Sequence, residues 1–169
     1  MRPKPRLIVF AGKPGVGKST IIKRLFDGIK IVDVRPFVLP YYDNKETFEE
    51  NTLLAYKEMY EHVSSLKEPL IILEIGTNHP EFNIEQLKKL QEQYDVVLIL
   101  CDASVETCME RLKGKNYVLN EEWLELRLQR DFPNTFLKVL EPTDLDYKVI
   151  STEGDSDSVI ESVRRALDI

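Results

Sequence analysis

The sequence predicts an α/β fold of three layers, in which helices cover both faces of a five-stranded parallel sheet. Five short apolar runs have the length of buried strands, and segments with helical spacing of apolar residues separate them. No two-residue hairpin signal joins consecutive runs, which favours parallel pairing through right-handed crossovers. The chain has 169 residues, 43% of them hydrophobic, so it is long enough to bury a core, and we expect residues 1–169 to form a single domain.

The predicted strands are short and almost continuously apolar, as strands buried on both faces are. They are residues 7–10, 29–34, 70–73, 96–100 and 147–150. Pro36 and Pro40 close the second of them. No apolar run approaches the roughly 20 residues that a helix needs to cross a bilayer. The basic start of the chain also lacks the long apolar stretch of a secretion signal, so we expect a cytoplasmic protein without a membrane span.

Caps and breakers set the predicted helix boundaries in the first half of the chain. A helix over residues 19–26 follows the first strand and stops at Gly28. A long helix follows the second strand, with Asp43 or Asn44 as its cap, and Pro69 ends it.

The second half of the chain continues the alternation of helices and strands. Asn83 resembles the start of a capping box and begins the helix after the third strand. Asp102 or Ser104 caps the helix after the fourth strand, and Asn120 caps a further one. A last helix follows the fifth strand.

The turn after the first strand carries a complete phosphate-binding motif. It reads Gly-Lys-Pro-Gly-Val-Gly-Lys-Ser-Thr and fits G-x-x-x-x-G-K-[ST] between a strand and a helix. Main-chain N–H groups must approach phosphate oxygens closely there, and glycines permit both the approach and the dihedral angles. We therefore expect these residues to bind a nucleotide: Gly12, Lys13, Pro14, Gly15, Val16, Gly17, Lys18, Ser19 and Thr20.

Three side chains of this loop have predicted roles. Lys18 should reach the β- and γ-phosphates, where its ammonium stabilises charge on the transferred group. The Ser19 hydroxyl should ligate Mg²⁺, and Thr20 should touch the α-phosphate. The alternative is a glycine-rich turn that only connects strand to helix, and the complete motif in its required context argues against it.

Two later segments resemble those of small P-loop kinases. Residues 69–78 look like that group's strand that ends in an acidic residue and continues into Thr-Asn, with Glu74 where an aspartate is more usual. Residues 95–111 are similar to the strand and helix that lead into the kinase lid. The chain thus resembles nucleoside and nucleotide kinases, especially the group of polynucleotide kinases and zeta-toxin-like predicted kinases. The resemblance implies an ATP-dependent phosphotransferase that uses Mg²⁺, with a short helical lid at about residues 112–135.

Carboxylates at two strand ends are candidates for the chemistry. Glu74 ends the strand beside the phosphate-loop strand, where it is well placed to hold a Mg²⁺-bound water. A kinase must also position and deprotonate an acceptor hydroxyl, and Asp33, soon followed by Arg35, lies at the end of the second strand. In the resembling kinases an acidic residue here acts as base or orients the acceptor, and a nearby arginine helps to bind it. Asp43 is an alternative base, although helix capping already explains its position.

Basic residues follow the fourth strand. Arg111 and Lys115 lie at or just beyond a helix end and match the spaced basic positions of the kinase lid, so both are predicted to act in catalysis. Cations that close over the phosphates stabilise transfer and exclude water. Arg127 and Arg130 follow in the next helical pattern. The alternative for these residues is a favourable interaction with a helix C-terminus.

Loop residues at the strand ends are candidates for binding the acceptor, because ligands of α/β sheets sit outside the carboxyl ends of the strands. Thr77 and Asn78 are the main candidates beside Asp33 and Arg35. Other loop residues that would border the same pocket are Tyr41, Tyr42 and His79.

Charge and cysteine content restrict the partners. A net charge of -6 and a pI near 5.1 argue against broad binding of duplex nucleic acid, so the expected partners are a nucleotide and a small-molecule acceptor. Cys101 and Cys108 lack metal-ligand spacing and are interpreted as buried thiols rather than a disulfide.

Two other functions share the phosphate loop. A nucleoside-triphosphatase or molecular switch would use water as the acceptor, and residues 73–76 are compatible with it. The long helix after the second strand and the basic segment after the fourth are better suited to enclosing a second substrate. A non-catalytic nucleotide-binding protein is the remaining alternative.

Overall fold

Each apolar run predicted as a strand forms one in the computed structural model. The structure describes residues 2–41, 44, 46–113, 115 and 121–169, and within the last range it describes side chains from residue 124 onward. The strands are β1 (Arg6–Ala11), β2 (Lys30–Asp33), β3 (Leu70–Ile75), β4 (Asp95–Asp102) and β5 (Asp146–Ser151). All pairings are parallel, and the order across the sheet is β2-β3-β1-β4-β5. The predicted α/β fold with a five-stranded parallel sheet is therefore confirmed.

At least one helix follows each strand in the described part of the chain. The helices are α1 (Lys18–Leu25), α2 (Arg35–Val38), α3 (Phe48–Ser65), α4 (Pro80–Leu90), α5 (Val105–Leu112), α6 (Glu121–Leu128), α7 (Asn134–Leu140) and α8 (Ser156–Leu167). A 3₁₀ turn, Leu39–Tyr41, follows α2. None of the helices described has both the length and the apolar character of a membrane-spanning helix.

Side chains of the central strand β1 alternate between two apolar cores. Leu7, Val9 and Ala11 pack in the core that also contains residues of α2, α3, α4 and α7. Ile8 and Phe10 pack in the core formed with α1, α5, α6 and α8. All five side chains are at most 1% exposed. Burial on both faces explains why the run is continuously apolar in sequence rather than alternating.

The sheet order places the phosphate-binding loop between two pairs of strands. β1 is the central strand, with β3 and β2 on one side and β4 and β5 on the other. Because all the strands are parallel, the residues that end them meet at one edge of the sheet. Asp33 and Glu74 are direct partners in the register of β2 and β3, so their side chains leave the same face.

Two short helices were not predicted. α2 follows β2 at once and carries Pro36 in its first turn, where the missing N–H costs no helical hydrogen bond. Pro36 therefore lies in the first turn of a helix, whereas its sequence context indicated only the end of a strand. α7 buries Phe136 and Leu140. Helices of about two turns or less carry too few apolar repeats to produce a recognisable period.

The predicted start of the helix after β3 was wrong. α4 begins at Pro80, and Asn83 lies inside it with no exposed surface. Its side-chain amide donates hydrogen bonds to the carbonyls of Asn78 (2.8 Å) and His79 (3.0 Å). Asn83 therefore donates from inside the helix to the carbonyls of the preceding loop, and it does not cap the helix.

Of the other predicted caps, Ser104 caps α5, and its Oγ accepts the N–H of Thr107 at 3.1 Å. Asn44 accepts two backbone N–H groups in the turn that leads into α3. The proposed caps Asp43 and Asn120 lie outside the described residues.

Candidate active site

A cavity of about 690 Å³ opens at the carboxyl ends of the strands and is centred on the loop after β1. Since β1 is the central strand, the other lining residues fall on two sides of that loop. On the β4/β5 side they are Arg111, Leu112, Lys115, Thr152, Gly154, Ser156 and Val159. On the β2/β3 side they are Asp33, Val34, Arg35, Val38, Tyr56, Glu74, Ile75, Gly76, Thr77, Asn78 and Arg127. A ligand held at the loop would therefore have room on both sides.

The loop after β1 has the geometry that its glycines predicted. Gly15 and Gly17 have φ angles of 78° and 107°, in the left-handed region that favours glycine. A Cβ atom at Gly15 would lie 2.6 Å from the carbonyl oxygen of Cys108, and one at Gly12 would lie 2.8 Å from that of Cys101. α1 begins at Lys18, so its N-terminal dipole end faces the turn.

We expect Gly15→Ala to destabilise the protein by about 1–3 kcal/mol, because it forces a side chain into the left-handed region and against a backbone oxygen. Gly28→Ala is the matched control. Gly28 has nearly the same φ, 77°, but a Cβ atom there would meet no atom within 4 Å beyond its immediate chain neighbours. Urea unfolding of both variants separates the two costs, and equal losses would contradict a contribution from the close approach to Cys108.

Lys18 is held against the loop that it is predicted to serve. Its Nζ donates hydrogen bonds to the carbonyls of Gly12 (2.6 Å) and Lys13 (3.1 Å). Burial lowers the pKa of Lys18, whereas the nearby Glu74 carboxylate opposes that shift. The ammonium is thus desolvated beside the phosphate loop, where an anionic ligand would stabilise it.

Ser19 and Glu74 meet beside the phosphate loop. The Ser19 hydroxyl donates to Oε1 of Glu74 at 2.8 Å. Burial raises the pKa of Glu74, and the Lys18 ammonium counteracts part of that rise. A hydroxyl and a carboxylate in contact are oxygen donors of the kind that Mg²⁺ uses together with phosphate oxygens and water.

Asp33 lines the cavity next to this pair. Its Oδ1 accepts the backbone N–H of Arg35 at 2.9 Å, which holds the carboxylate at the start of α2. The Arg35 side chain also lines the cavity. The structure thus brings the predicted base, the predicted metal ligands and Lys18 to one edge of the sheet.

Arg111 bridges the phosphate loop and the segment after β5. Its guanidinium donates to the carbonyl of Val16 (2.9 Å) and to the carbonyl of Thr152 (2.6 Å). Glu153 ties the same segment to α5 by accepting the N–H of Ser104 at 2.7 Å. Lys115 lines the cavity as an exposed side chain. Arg111 therefore organises the β4/β5 side of the cavity as well as lying beside the phosphate loop.

The acceptor candidates Thr77 and Asn78 line the β2/β3 side and are 5% and 4% exposed. Arg130, predicted beside the phosphates, donates instead to Oδ1 of Asn78 and to Glu49. The described residues that line the cavity do not include Arg130. Arg130 therefore supports the loop after β3 rather than the phosphate path.

The other predicted loop residues have structural contacts. His79 lies 2.9 Å from the Thr52 hydroxyl through Nε2, and burial lowers the pKa of the imidazole. Tyr41 packs at the margin of an apolar core. These contacts account for His79 and Tyr41 without a ligand, and Tyr42 lies outside the described residues.

Two residues of the β2/β3 side were missed as acceptor candidates. Tyr56 looked like part of the apolar face of α3, but its hydroxyl accepts the N–H of Gly76 at 3.2 Å and the residue lines the cavity. Arg127 of α6 lies with its guanidinium carbon 5.0 Å from the ring centre of Phe48, at the start of α3. Arg130 follows three residues later, and within the predicted helix that spacing was the available signal that both arginines face one neighbouring element.

No protein-family model matches the chain, and no curated protein matches it either. Solved structures do match. A sugar kinase from Janibacter sp. HTCC2649 is 20% identical, with a TM-score of 0.69 over 98% of this chain and 95% of its own. A gluconokinase from Sinorhizobium meliloti 1021 is 13% identical, with a TM-score of 0.66 over 99% and 94%.

A deoxyadenosine kinase from M. mycoides, with dCMP and dCDP bound, is 19% identical, with a TM-score of 0.61 over 96% of this chain and 98% of its own. None of these three is a polynucleotide kinase, so that particular group within the predicted resemblance is not confirmed. The chain has the fold of the small P-loop kinases, as its motifs predicted.

Proposed function

We propose that this protein is a kinase that transfers the γ-phosphate of ATP to a hydroxyl or phosphate of a small acceptor. The observation that carries the proposal is the convergence of Lys18, Ser19, Glu74 and Asp33 at the edge between the two sides of the cavity. The fold shared with a sugar kinase, a gluconokinase and a deoxyadenosine kinase supports it.

In this proposal the phosphate loop holds the nucleotide through its main-chain N–H groups. The purine ring of the nucleotide lies on the β4/β5 side. Lys18 exchanges its bonds with the loop carbonyls for bonds to the phosphates, which stabilises the charge that develops during transfer. Arg111 and Lys115 flank the nucleotide from the β4/β5 side. We retain residues 112–135 as the proposed lid.

The oxygens of Ser19 and Glu74 fit Mg²⁺, because they lie in contact and belong to a hydroxyl and a carboxylate. When bound, the ion would neutralise phosphate charge. Ser19 would then supply a direct oxygen ligand, and Glu74 would orient a water of the coordination sphere.

Asp33 is the proposed base. Its carboxylate lies on the acceptor side and is held by the N–H of Arg35. It would accept the proton of the acceptor hydroxyl as the oxygen attacks the γ-phosphorus and the bond to the β-phosphate oxygen breaks. Where the acceptor is a phosphate, which needs no proton removed, Asp33 would only orient it.

Measuring ATP consumption with and without acceptors tests the proposal. We expect slow release of phosphate from ATP alone and at least roughly tenfold faster ADP formation with a suitable sugar, sugar acid, nucleoside or nucleotide, with the phosphorylated product detected by mass spectrometry. Phosphate release at the full rate without any acceptor would favour a nucleoside-triphosphatase. Tight ATP binding without turnover under every condition would favour a non-catalytic nucleotide-binding protein.

A further inference from the structure

We infer that the acceptor carries an anionic group, a carboxylate or a phosphate, which Asn78 and Arg127 bind while the reacting hydroxyl lies at Asp33. The inference rests on the proposed kinase function and adds the substrate class. It follows from which hydrogen-bonding groups the β2/β3 side offers to a ligand and from where its carboxylates lie.

The orientation of the Asn78 amide is determined by Arg130. A guanidinium only donates hydrogen bonds, so the Asn78 atom that Nη1 of Arg130 contacts, at 2.5 Å, must be the amide oxygen. With that oxygen occupied, the NH₂ group, which only donates, is the part of the Asn78 amide left for a ligand. Asn78 therefore selects a ligand atom that accepts hydrogen bonds.

Arg130 is itself fixed in this role. Its other terminal nitrogen donates to Glu49 at 2.6 Å, so the guanidinium is held between α3 and the loop after β3. The backbone carbonyl of Asn78 accepts a bond from the buried amide of Asn83. Asn83 is in turn held by the Tyr60 hydroxyl. Both ends of Asn78 are thus constrained, and its amide cannot turn over without breaking a charged contact.

Arg127 lies in the last turn of α6, three residues before Arg130. Its guanidinium carbon lies 5.0 Å from the ring centre of Phe48, while Arg130 contacts Glu49, so two successive residues of α3 contact the end of α6 and the turn that follows it. Arg127 lines the cavity, and its fork of donors matches the paired oxygens of a carboxylate or phosphate.

The carboxylates that line the cavity on this side occupy a different position. Asp33 and Glu74 end neighbouring strands and lie beside Ser19 at the phosphate loop. They would repel an acceptor's anionic group from the transfer point, whereas Arg127 and Asn78 attract it. Charge therefore orients the acceptor with its hydroxyl toward Asp33 and its anionic group toward α6.

Matched acceptor pairs that differ in one anionic group test the inference. The pairs are shikimate and its methyl ester, D-gluconate and sorbitol, and 2′-deoxycytidine 3′-phosphate and 2′-deoxycytidine. Hydrogen bonds to charged groups typically contribute enough to change an equilibrium by roughly 10- to 150-fold. We expect kcat/KM for the anionic member of at least one pair to exceed that of its neutral partner by roughly 10- to 150-fold. Comparing the carboxylate pairs with the phosphate pair shows which anionic group the site binds.

Two variants locate the effect. Arg127→Gln and Asn78→Asp should each reduce the preference for the anionic member by roughly tenfold or more, mainly through KM. The Asn78→Asp variant keeps an oxygen that accepts from Arg130, so this variant should fold. It therefore tests the inference even if Arg127→Gln weakens the packing on Phe48. Arg165→Gln, at an exposed arginine of α8, is the control and should leave the preference unchanged.

The outcomes separate the inference from the proposed function. Transfer to neutral acceptors that equals or exceeds transfer to their anionic partners overturns the inference and leaves the kinase function standing. An unchanged preference in both Arg127→Gln and Asn78→Asp overturns the assignment of these residues. ATP hydrolysis that no acceptor accelerates overturns the proposed function and, with it, the inference.

Discussion

Replacing Lys18 by alanine should abolish phosphoryl transfer while leaving the fold in place. In the proposed function the ammonium stabilises charge on the transferred group, and it lies desolvated against the carbonyls of Gly12 and Lys13. Loss of one preorganised charge donor of this kind costs on the order of 10²- to 10³-fold in kcat. We expect a loss of at least that size at saturating ATP and acceptor.

The stability of this variant should change little. Alanine is the best helix former for the first residue of α1, and the desolvation cost of the ammonium offsets the two hydrogen bonds and the attraction to Glu74 that the variant loses. We expect the free energy of unfolding to stay within about 1 kcal/mol of the wild-type value. Lys88→Ala, at an exposed lysine of α4, is the matched control and should retain full activity. Wild-type turnover by Lys18→Ala would contradict the role of the ammonium.

The elements that could be predicted from the sequence are those whose cause is local. A strand buried on both faces must be continuously apolar, so β1 and β4 were recognisable from composition alone. The phosphate loop was recognisable because only glycine fits at positions where the backbone comes close to a few neighbouring atoms. Gly15, which lies close to a backbone oxygen, is an example. α2 and α7 were missed because a helix of one or two turns carries too little periodicity.

The parts of the site that escaped prediction depend on contacts between distant segments. Asn78 was a candidate because it follows a strand end, but the direction of its amide depends on Arg130, 52 positions along the chain. Arg130 looked like a phosphate ligand because it is basic and follows the fourth strand. Its partners depend on the packing of the end of α6 against the start of α3, and no local pattern specifies that packing.

Asp33→Asn should reduce phosphoryl transfer far more than it reduces ATP binding. Asparagine has the same shape and keeps an oxygen that accepts the N–H of Arg35, so the start of α2 should be preserved. In the proposed mechanism the variant loses the ability to take a proton from the acceptor, a contribution of roughly 10²- to 10⁴-fold. We expect kcat with a hydroxyl acceptor to fall within that range and the Kd for ATP to change less than about fivefold.

Two comparisons distinguish a base from a residue that only supports the metal or the fold. Asp95→Asn, at an exposed residue that begins β4 on the opposite edge of the sheet, should retain full transfer. If Asp33→Asn slows ATP turnover without acceptor as much as it slows turnover with acceptor, Asp33 has a role in holding the nucleotide or Mg²⁺. If Asp33→Asn transfers phosphate at the wild-type rate and Asp43→Asn does not, the alternative base is correct. In the proposed arrangement the acceptor lies between Asp33 and α6, so a base at Asp33 requires that acceptor-dependent turnover be lost while turnover without acceptor persists.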